Sequence, residues 1–397
     1  MAGSRFHHYR FFRKDFLASL TGGPGCGVSP RLPMKHNVII LIKDREPGLL
    51  EIVQGRAKSL VPVSGGRRII DYYLMPFLTA GGEITVLAGK NGTGIKDYIV
   101  YSYSSGTIKV LEKEPLEGLL DAVGGGEGTF VVHADGLLRM EYGELESRME
   151  AFTGRCCGLL VSGALPIGFF IREAGILRDI HPGEGVDGLW EGIVQTLGPE
   201  NETISLPFGF IGLRTVVEYY RAHFDVLRKT PVEWHAPFTS GEGGEEAVSR
   251  IAPEGYVKSS LIGHSCSVNG VVDNSIIFSN VRVGRGARVT NSIVMSHNYI
   301  GDDAVIQNAI VCDSAELFNR VSPNIGEGSR IGEDDRSGAN VRWPDWLHDG
   351  ITLIGRNVDI PKGFRVHRNC YIQSGTDRAA LREKGDMPAG DSAFFSI

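Results

Sequence analysis

The stretch Ile354-Gly355-Arg356-Asn357-Val358-Asp359-Ile360-Pro361-Lys362-Gly363-Phe364-Arg365-Val366-His367-Arg368-Asn369-Cys370-Tyr371-Ile372 sets an aliphatic residue at every sixth position: Ile354, Ile360, Val366 and Ile372. Earlier runs keep the same beat, at Ile262 and Val268, at Ile277, Val283 and Val289, and at Val294, Ile300 and Ile306. A period of six is neither the roughly 3.6 of an amphipathic helix nor the 2 of a lone strand. It predicts a solenoid whose six-residue units each give one short strand with the aliphatic side chain inward, three units to a coil: a left-handed parallel β-helix. Gly263, Gly284, Gly301, Gly326, Gly332 and Gly355 fall at the expected corners, where small residues are needed. The beat breaks between Val268 and Ile277 and from Cys312 to Ile325, where loops are expected to leave the coil.

Composition bounds the rest. Of 397 residues, 42% are hydrophobic and 22% charged, enough for about two domains with real cores. Forty-one basic against 47 acidic residues give a net charge of -6, which offers neither nucleic acid nor an anionic membrane an electrostatic footprint. The six cysteines (Cys26, Cys156, Cys157, Cys266, Cys312, Cys370) show no zinc-site or CxxC spacing and read as reduced thiols of a cytoplasmic protein, the last three filling solenoid positions. No apolar run reaches the ~20 residues of a membrane span.

Residues 1–33 stand apart. Arg5, Arg10, Arg13, Lys14 and Arg31 face one acid, Asp15, without an apolar signal core. The stretch is expected to be a disordered extension or a start placed too far upstream of Met34, with an organelle transit peptide as the alternative. From Asn37-Val38-Ile39-Ile40-Leu41-Ile42 to residue 228, apolar strand-like runs (84–88, 129–133) alternate with helical spacing (69–78, 143–151), which predicts an α/β layer on a mostly parallel sheet over 34–228. Ligands of such sheets bind beyond the carboxyl ends of the strands. Residues 229–255, centred on Thr-Ser-Gly-Glu-Gly-Gly-Glu-Glu, have linker composition. The β-helix is then placed at 256–380 and a tail at 381–397.

Hexapeptide solenoids commonly belong to acyltransferases or to sugar-nucleotide pyrophosphorylases, and the first domain decides between them. Arg56-Ala57-Lys58-Ser59-Leu60-Val61-Pro62 and Gly65-Gly66-Arg67-Arg68-Ile69-Ile70-Asp71 resemble the R-A-K-P-A-V-P and G-G-x-x-R-I-I-D segments of glucose-1-phosphate adenylyltransferase, also called ADP-glucose pyrophosphorylase. Gly118-Leu119-Leu120-Asp121-Ala122-Val123 is similar to its G-T-A-D-A-V, and Ala134-Asp135-Gly136-Leu137-Leu138-Arg139-Met140-Glu141-Tyr142 to its G-D-H-x-Y-x-M-D-Y. Asn274-Ser275-Ile276-Ile277-Phe278 and Asn291-Ser292-Ile293-Val294-Met295 look like its repeated N-S-I segments. The resemblance covers about residues 37–375. It implies a nucleotidyltransferase-like domain followed by a β-helix, with Arg56, Lys58, Asp71, Gly118, Asp121 and Gly168 at the substrates and Asp135 on magnesium. Lys58 and Asp135 are the vestigial catalytic candidates.

Three departures put that chemistry in doubt. Where the family has G-G-x-G-[ST]-R-L, the chain reads Lys43-Asp44-Arg45-Glu46-Pro47-Gly48-Leu49, with Gly48 for the arginine, two carboxylates at the phosphates and a proline lacking an amide donor. The W-x-D-V-G-T segment matches Phe208-Gly209-Phe210-Ile211-Gly212-Leu213, so Phe210 replaces the second metal carboxylate. The E-K-P sugar motif is missing between Cys156–Val161 and Pro166-Ile167-Gly168-Phe169. Plainer readings stand beside these residues: Lys58 as a surface lysine, Asp135 as a cap of the following segment with little weight in stability, and Arg67, Arg68 and Asp71 as a structural connection. Gly124-Gly125-Gly126-Glu127-Gly128 lacks a following Lys-Ser/Thr and reads as a turn. His264 and His297 sit in ordinary repeat positions, and an acyltransferase base among them would leave the α/β domain unexplained.

The expectation is a regulatory subunit of glycogen biosynthesis with a degenerate active site. Its implied partner is a catalytic ADP-glucose pyrophosphorylase homologue in a hetero- or homo-oligomer, with a sugar phosphate as effector and no nucleic acid or membrane. Magnesium is expected only if catalysis survives. The alternatives are an active glucose-1-phosphate adenylyltransferase and a free-standing sensor of a sugar phosphate or nucleotide.

Overall fold

A computed structural model describes residues 36–43, 46–53, 56–63, 67–89, 93–103, 107–123, 127–161, 165–198, 201–229, 248–317, 321–333 and 338–394. The extension 1–33, most of the 229–255 linker, Asp44 and Gly124 to Gly126 lie outside the described residues.

The apolar runs become the centre of a seven-stranded mixed sheet. In chain order its strands are β1 (Asn37–Ile42), β2 (Ile84–Leu87), β3 (Ile108–Leu111), β4 (Thr129–Ala134), β6 (Cys156–Val161), β7 (Leu165–Ile171) and β8 (Glu202–Leu206), arranged β3-β2-β1-β4-β7-β6-β8. β7 runs antiparallel to both its neighbours, while β1 through β4 are parallel. A separate ribbon pairs β5 (Gly136–Arg139) with β9 (Gly209–Gly212) antiparallel. β1 and β4 are buried along nearly their whole length, as β-branched runs covered on both faces should be. On one face lie α3 (Pro115–Ala122) and α5 (Gly185–Leu197), packed on Ile39, Leu41 and Val131. On the other lie α1 (Asp71–Thr79), α2 (Thr93–Ser102), α4 (Tyr142–Ala151) and α6 (Val216–Lys229).

The six-residue beat is a parallel β-helix of three ladders with four, six and seven named strands. Each quoted aliphatic is stacked in its interior: Ile262, Ile277, Val294, Val311, Ile354 and Ile372 follow one another in register down one ladder. No loop leaves between Val268 and Ile277. Val272 takes the interior position there, and the coil simply closes with shorter corners. The expected loop after Cys312 is present, since Ile325 bridges back to Ile300. A second interruption, from Ile331 to Ile354, carries the stacked Trp343 and Trp346. A third carries α7 (Arg378–Lys384), capped by the Asp377 carboxylate on the Ala380 N–H. The ladder runs from Arg250 to Ser392–Ala393, wider at both ends than 256–380, because strand pairing continues where the aliphatic beat has faded.

The corner glycines are set by proximity more than by backbone angle. A Cβ at Gly326 would lie 2.5 Å from the Lys362 nitrogen of the next coil. Of the six, Gly332 alone also has a positive φ, and asparagines such as Asn274, Asn291 and Asn308 share the left-handed corners with other glycines. This explains the N-S-I repeats. Asn274 donates to the Asn291 side chain at 2.7 Å, Ser275 accepts the Ser292 N–H at 3.1 Å, and Ile276, Ile293 and Ile310 point outward into the core of the first domain. That ladder is therefore buried on both faces and joins the two domains.

Candidate functional site

The site is built where β1 and β4 end. β4 delivers Asp135, and the short 3₁₀ turn Lys58–Leu60 delivers Lys58 beside it. Ser59 holds that turn in place by donating to the Ala134 carbonyl at 3.0 Å and accepting the Lys43 N–H at 2.9 Å. Lys58 is 0% exposed. Its Nζ donates to Asp135 Oδ1 at 2.6 Å and to Glu46 Oε2 at 3.0 Å. A buried ammonium needs such partners, and here two carboxylates of the chain supply the charge that a phosphate would otherwise bring. The surface-lysine reading is thereby excluded. Asp135 precedes a strand, not a helix, so it caps nothing, and its bond to Lys58 gives it more weight in stability than the sequence suggested.

The three departures have physical counterparts. Gly48 is buried, and a Cβ there would lie 2.2 Å from the Arg214 carbonyl oxygen, so this backbone has no room for any side chain. Phe210 enters the neighbourhood of Asp135 through the β5–β9 pairing, with Leu138 opposite Phe210 and Gly136 opposite Gly212. Its ring covers Gly136, where a Cβ would come within 2.6 Å of Phe210 Cζ. Val161 at the end of β6 pairs with Leu165 at the start of β7, so only three residues separate the paired ends and the chain has no length there for the sugar motif. Magnesium between two substrates needs several oxygen ligands. The donor set does not fit it: Asp135 is engaged by Lys58, a phenyl ring stands opposite, and among the described residues no cluster of three or more His, Cys, Asp or Glu could hold an ion.

The remaining resemblance residues go elsewhere. Arg56 donates across the domain boundary to Asp313 Oδ2 at 2.5 Å, and Arg356 reaches Asp313 Oδ1 at 3.0 Å. Asp71 is buried and accepts from the Arg68 N–H, Tyr98 and Tyr103, each at 2.7 Å. Burial pushes its carboxyl pKa up, and those three bonds oppose the rise. It is the structural connection, together with Arg68, whose guanidinium donates to the Leu60 carbonyl at 2.9 Å. Gly118 lets α3 approach Leu87, Gly168 lets β7 approach the Val131 carbonyl, and Asp121 pairs on the surface with Lys113 at 2.6 Å. His264 and His297 lie at coil corners, His297 with a left-handed backbone.

The sequence reading missed Glu51. This buried carboxylate follows Leu50, whose φ of 48° is strained for a leucine, and it accepts from the Tyr371 hydroxyl and from Ser374 through both its N–H and its hydroxyl. The loop that places Glu46 on Lys58 is thus fastened to the β-helix. An acid inside the apolar run Leu49-Leu50-Glu51-Ile52-Val53 was the available signal, but nothing in the sequence names a partner some 320 residues away.

Comparison with known proteins gives two results. A family model for the GlmU-like C-terminal hexapeptide region matches residues 247–354. The chain is 35% identical over 231 residues to a glucose-1-phosphate adenylyltransferase of Pseudothermotoga lettingae, covering 55% of this chain and 52% of that protein. It is 32% identical over 232 residues to the protein of the same name from Thermotoga neapolitana, covering 56% and 52%. A third, from Acetivibrio thermocellus, is 32% identical over 127 residues, covering 31% and 26%. The chain spans about half the length of the first two of these relatives. The matches bear out the hexapeptide solenoid and the relationship to glucose-1-phosphate adenylyltransferases. No helix among the described residues is long and apolar enough to cross a membrane.

Proposed function

We propose that this chain is a regulatory subunit in the ADP-glucose pathway, built on the glucose-1-phosphate adenylyltransferase plan with its catalytic site closed. The observation that carries the reading is the state of Lys58, enclosed and matched by Glu46 and Asp135. Gly48 sealed against Arg214 and Phe210 laid over Gly136 support it, because transfer of a nucleotidyl group between two phosphate-bearing substrates needs open cationic donors and oxygen ligands for a metal. A chain that keeps both domains while losing these groups acts on a partner, shifting the partner's affinity or response to an effector. The partner proposed is a catalytic homologue, and the effector a sugar phosphate.

Co-expression with a catalytic homologue from the same source tests this. A mixed oligomer on size exclusion with altered substrate or effector response is expected. Separate species and unchanged kinetics of the homologue would overturn the reading and favour a free-standing sensor. The names of the relatives support a second reading, an active glucose-1-phosphate adenylyltransferase. Turnover by the pure chain distinguishes it.

A further inference from the structure

Three successive coils of the β-helix present Asp313, Arg356 and Ser374 at one corner. Val311, Ile354 and Ile372 are stacked in register, and each of the three polar residues follows two positions later. Contacts run without a break along this column. Ser374 Oγ accepts the Arg356 N–H at 2.7 Å, and the Arg356 guanidinium reaches Asp313 Oδ1 at 3.0 Å. Gly355 permits the close stacking, since a Cβ there would lie 2.5 Å from the Ser374 nitrogen.

Both ends of the column grip the stretch of chain that joins Glu46 to Lys58. At one end Ser374 donates to Glu51 through its N–H, at 3.1 Å, and through its hydroxyl, beside the Tyr371 hydroxyl. At the other end Asp313 accepts from Arg56, two residues before Lys58. Glu51 is 6% exposed, and these three donors to it belong to the β-helix, so they serve it only while the turn is docked there. Within the first domain the Leu49 N–H donates to the Glu46 carbonyl at 3.0 Å and the Val53 N–H to the Glu51 carbonyl. The 3₁₀ turn Pro47–Ile52 therefore moves as one piece, with Glu46 at its front.

A displacement of the corner is passed to both members of the Glu46–Lys58 pair, to the carboxylate through Glu51 and to the ammonium through Arg56. A short turn outside the sheet ladders opens locally at a lower free energy than the whole fold. We propose that the Asp313–Arg356–Ser374 corner is a conformational catch, which holds the Glu46 turn shut over Lys58 and, when disturbed, opens Lys58 to solvent. The inference rests on the closed Lys58 of the preceding reading but needs no partner, so a failed co-expression leaves it standing.

Acetylation of the full native chain with an N-hydroxysuccinimide ester, followed lysine by lysine by mass spectrometry, tests it. In the parent, Lys58 is expected to react far more slowly than Lys113, whose side chain is 48% exposed. Ser374→Ala and Tyr371→Phe each remove one donor from Glu51 and should speed Lys58 about tenfold, with Lys113 unchanged. Val289→Ala weakens the β-helix core in another ladder without touching the corner and should leave Lys58 slow. Ser374 is partly exposed, so Ser374→Ala carries the test should Tyr371→Phe fail to fold. Unchanged Lys58 rates in the corner variants would overturn the catch. Equal acceleration in Val289→Ala would also overturn it, since Lys58 would then be reached by general loosening. Lys58 reacting as fast as Lys113 in the parent would instead overturn the closed site on which the catch acts.

Discussion

Lys58 Nζ lies 2.6 Å from Asp135 Oδ1, so the lysine that the sequence offers to a phosphate and the aspartate that it offers to a metal are engaged with each other. With Glu46 on the same ammonium, the charge of Lys58 is matched entirely within the chain. Lys58→Met should leave Glu46 and Asp135 uncompensated and cost about 2–3 kcal/mol, at the low end for a buried pair because Asp135 is partly exposed. Asp135→Asn keeps an oxygen acceptor and leaves Glu46 on the ammonium, but removes one of two charges from a buried lysine, and should cost about 1–2 kcal/mol, less than Lys58→Met. Urea unfolding of the two variants checks the order.

A second expectation concerns the boundary between domains. Burial pushes the Asp313 carboxyl pKa up, but Arg56 and Arg356 outweigh burial and hold it below the usual aspartate value. A carboxyl lowered in the fold stabilises above its unfolded pKa of about 4, and that contribution is lost as pH falls below it. Asp313→Asn should destabilise at pH 7 and lose less on acidification below pH 4 than the parent. Thermal melts at pH 7 and pH 3 measure both.

His223 gives a separate acid response. On α6 its Nδ1 sits 2.9 Å from the Tyr219 carbonyl, and burial against the β-helix lowers the imidazole pKa to about 4. The unfolded chain takes up this proton from about pH 6.5 downward and the folded chain does not until about pH 4, so stability falls across that window and levels below it. His223→Phe should remove this part of the slope, by on the order of 2–3 kcal/mol between pH 7 and pH 4. An unchanged pH profile of the variant would refute the assignment.

The β-helix interior is expected to be intolerant. Ile360→Asp sets an unpaired carboxylate between Ile325 and the coil core, costing several kcal/mol, on the order of 3–5. A melting temperature equal to the parent's would contradict the interior placement.

Much of the architecture was legible because it rests on local rules. Ile354 to Ile372 announces a coil, and Asn37 to Ile42 announces a central strand, each through side chains that must be inside. The N-S-I segments were legible as repeats but not as an interface, since Ile276 and Ile277 look alike until a second domain covers one of them. The partner of Arg56 was illegible for a similar reason: its motif is local, but Asp313 is 257 residues away. At Gly48 and Phe210 the departures were readable, while the Arg214 carbonyl that leaves Gly48 no room for a side chain was not.

The proposed regulatory role requires that this chain alone transfer no adenylyl group. Purified protein incubated with magnesium, ATP and labelled glucose 1-phosphate, and assayed in reverse with ADP-glucose and diphosphate, should form no product above a protein-free control. Magnesium-dependent turnover that disappears in Asp135→Asn would contradict the account.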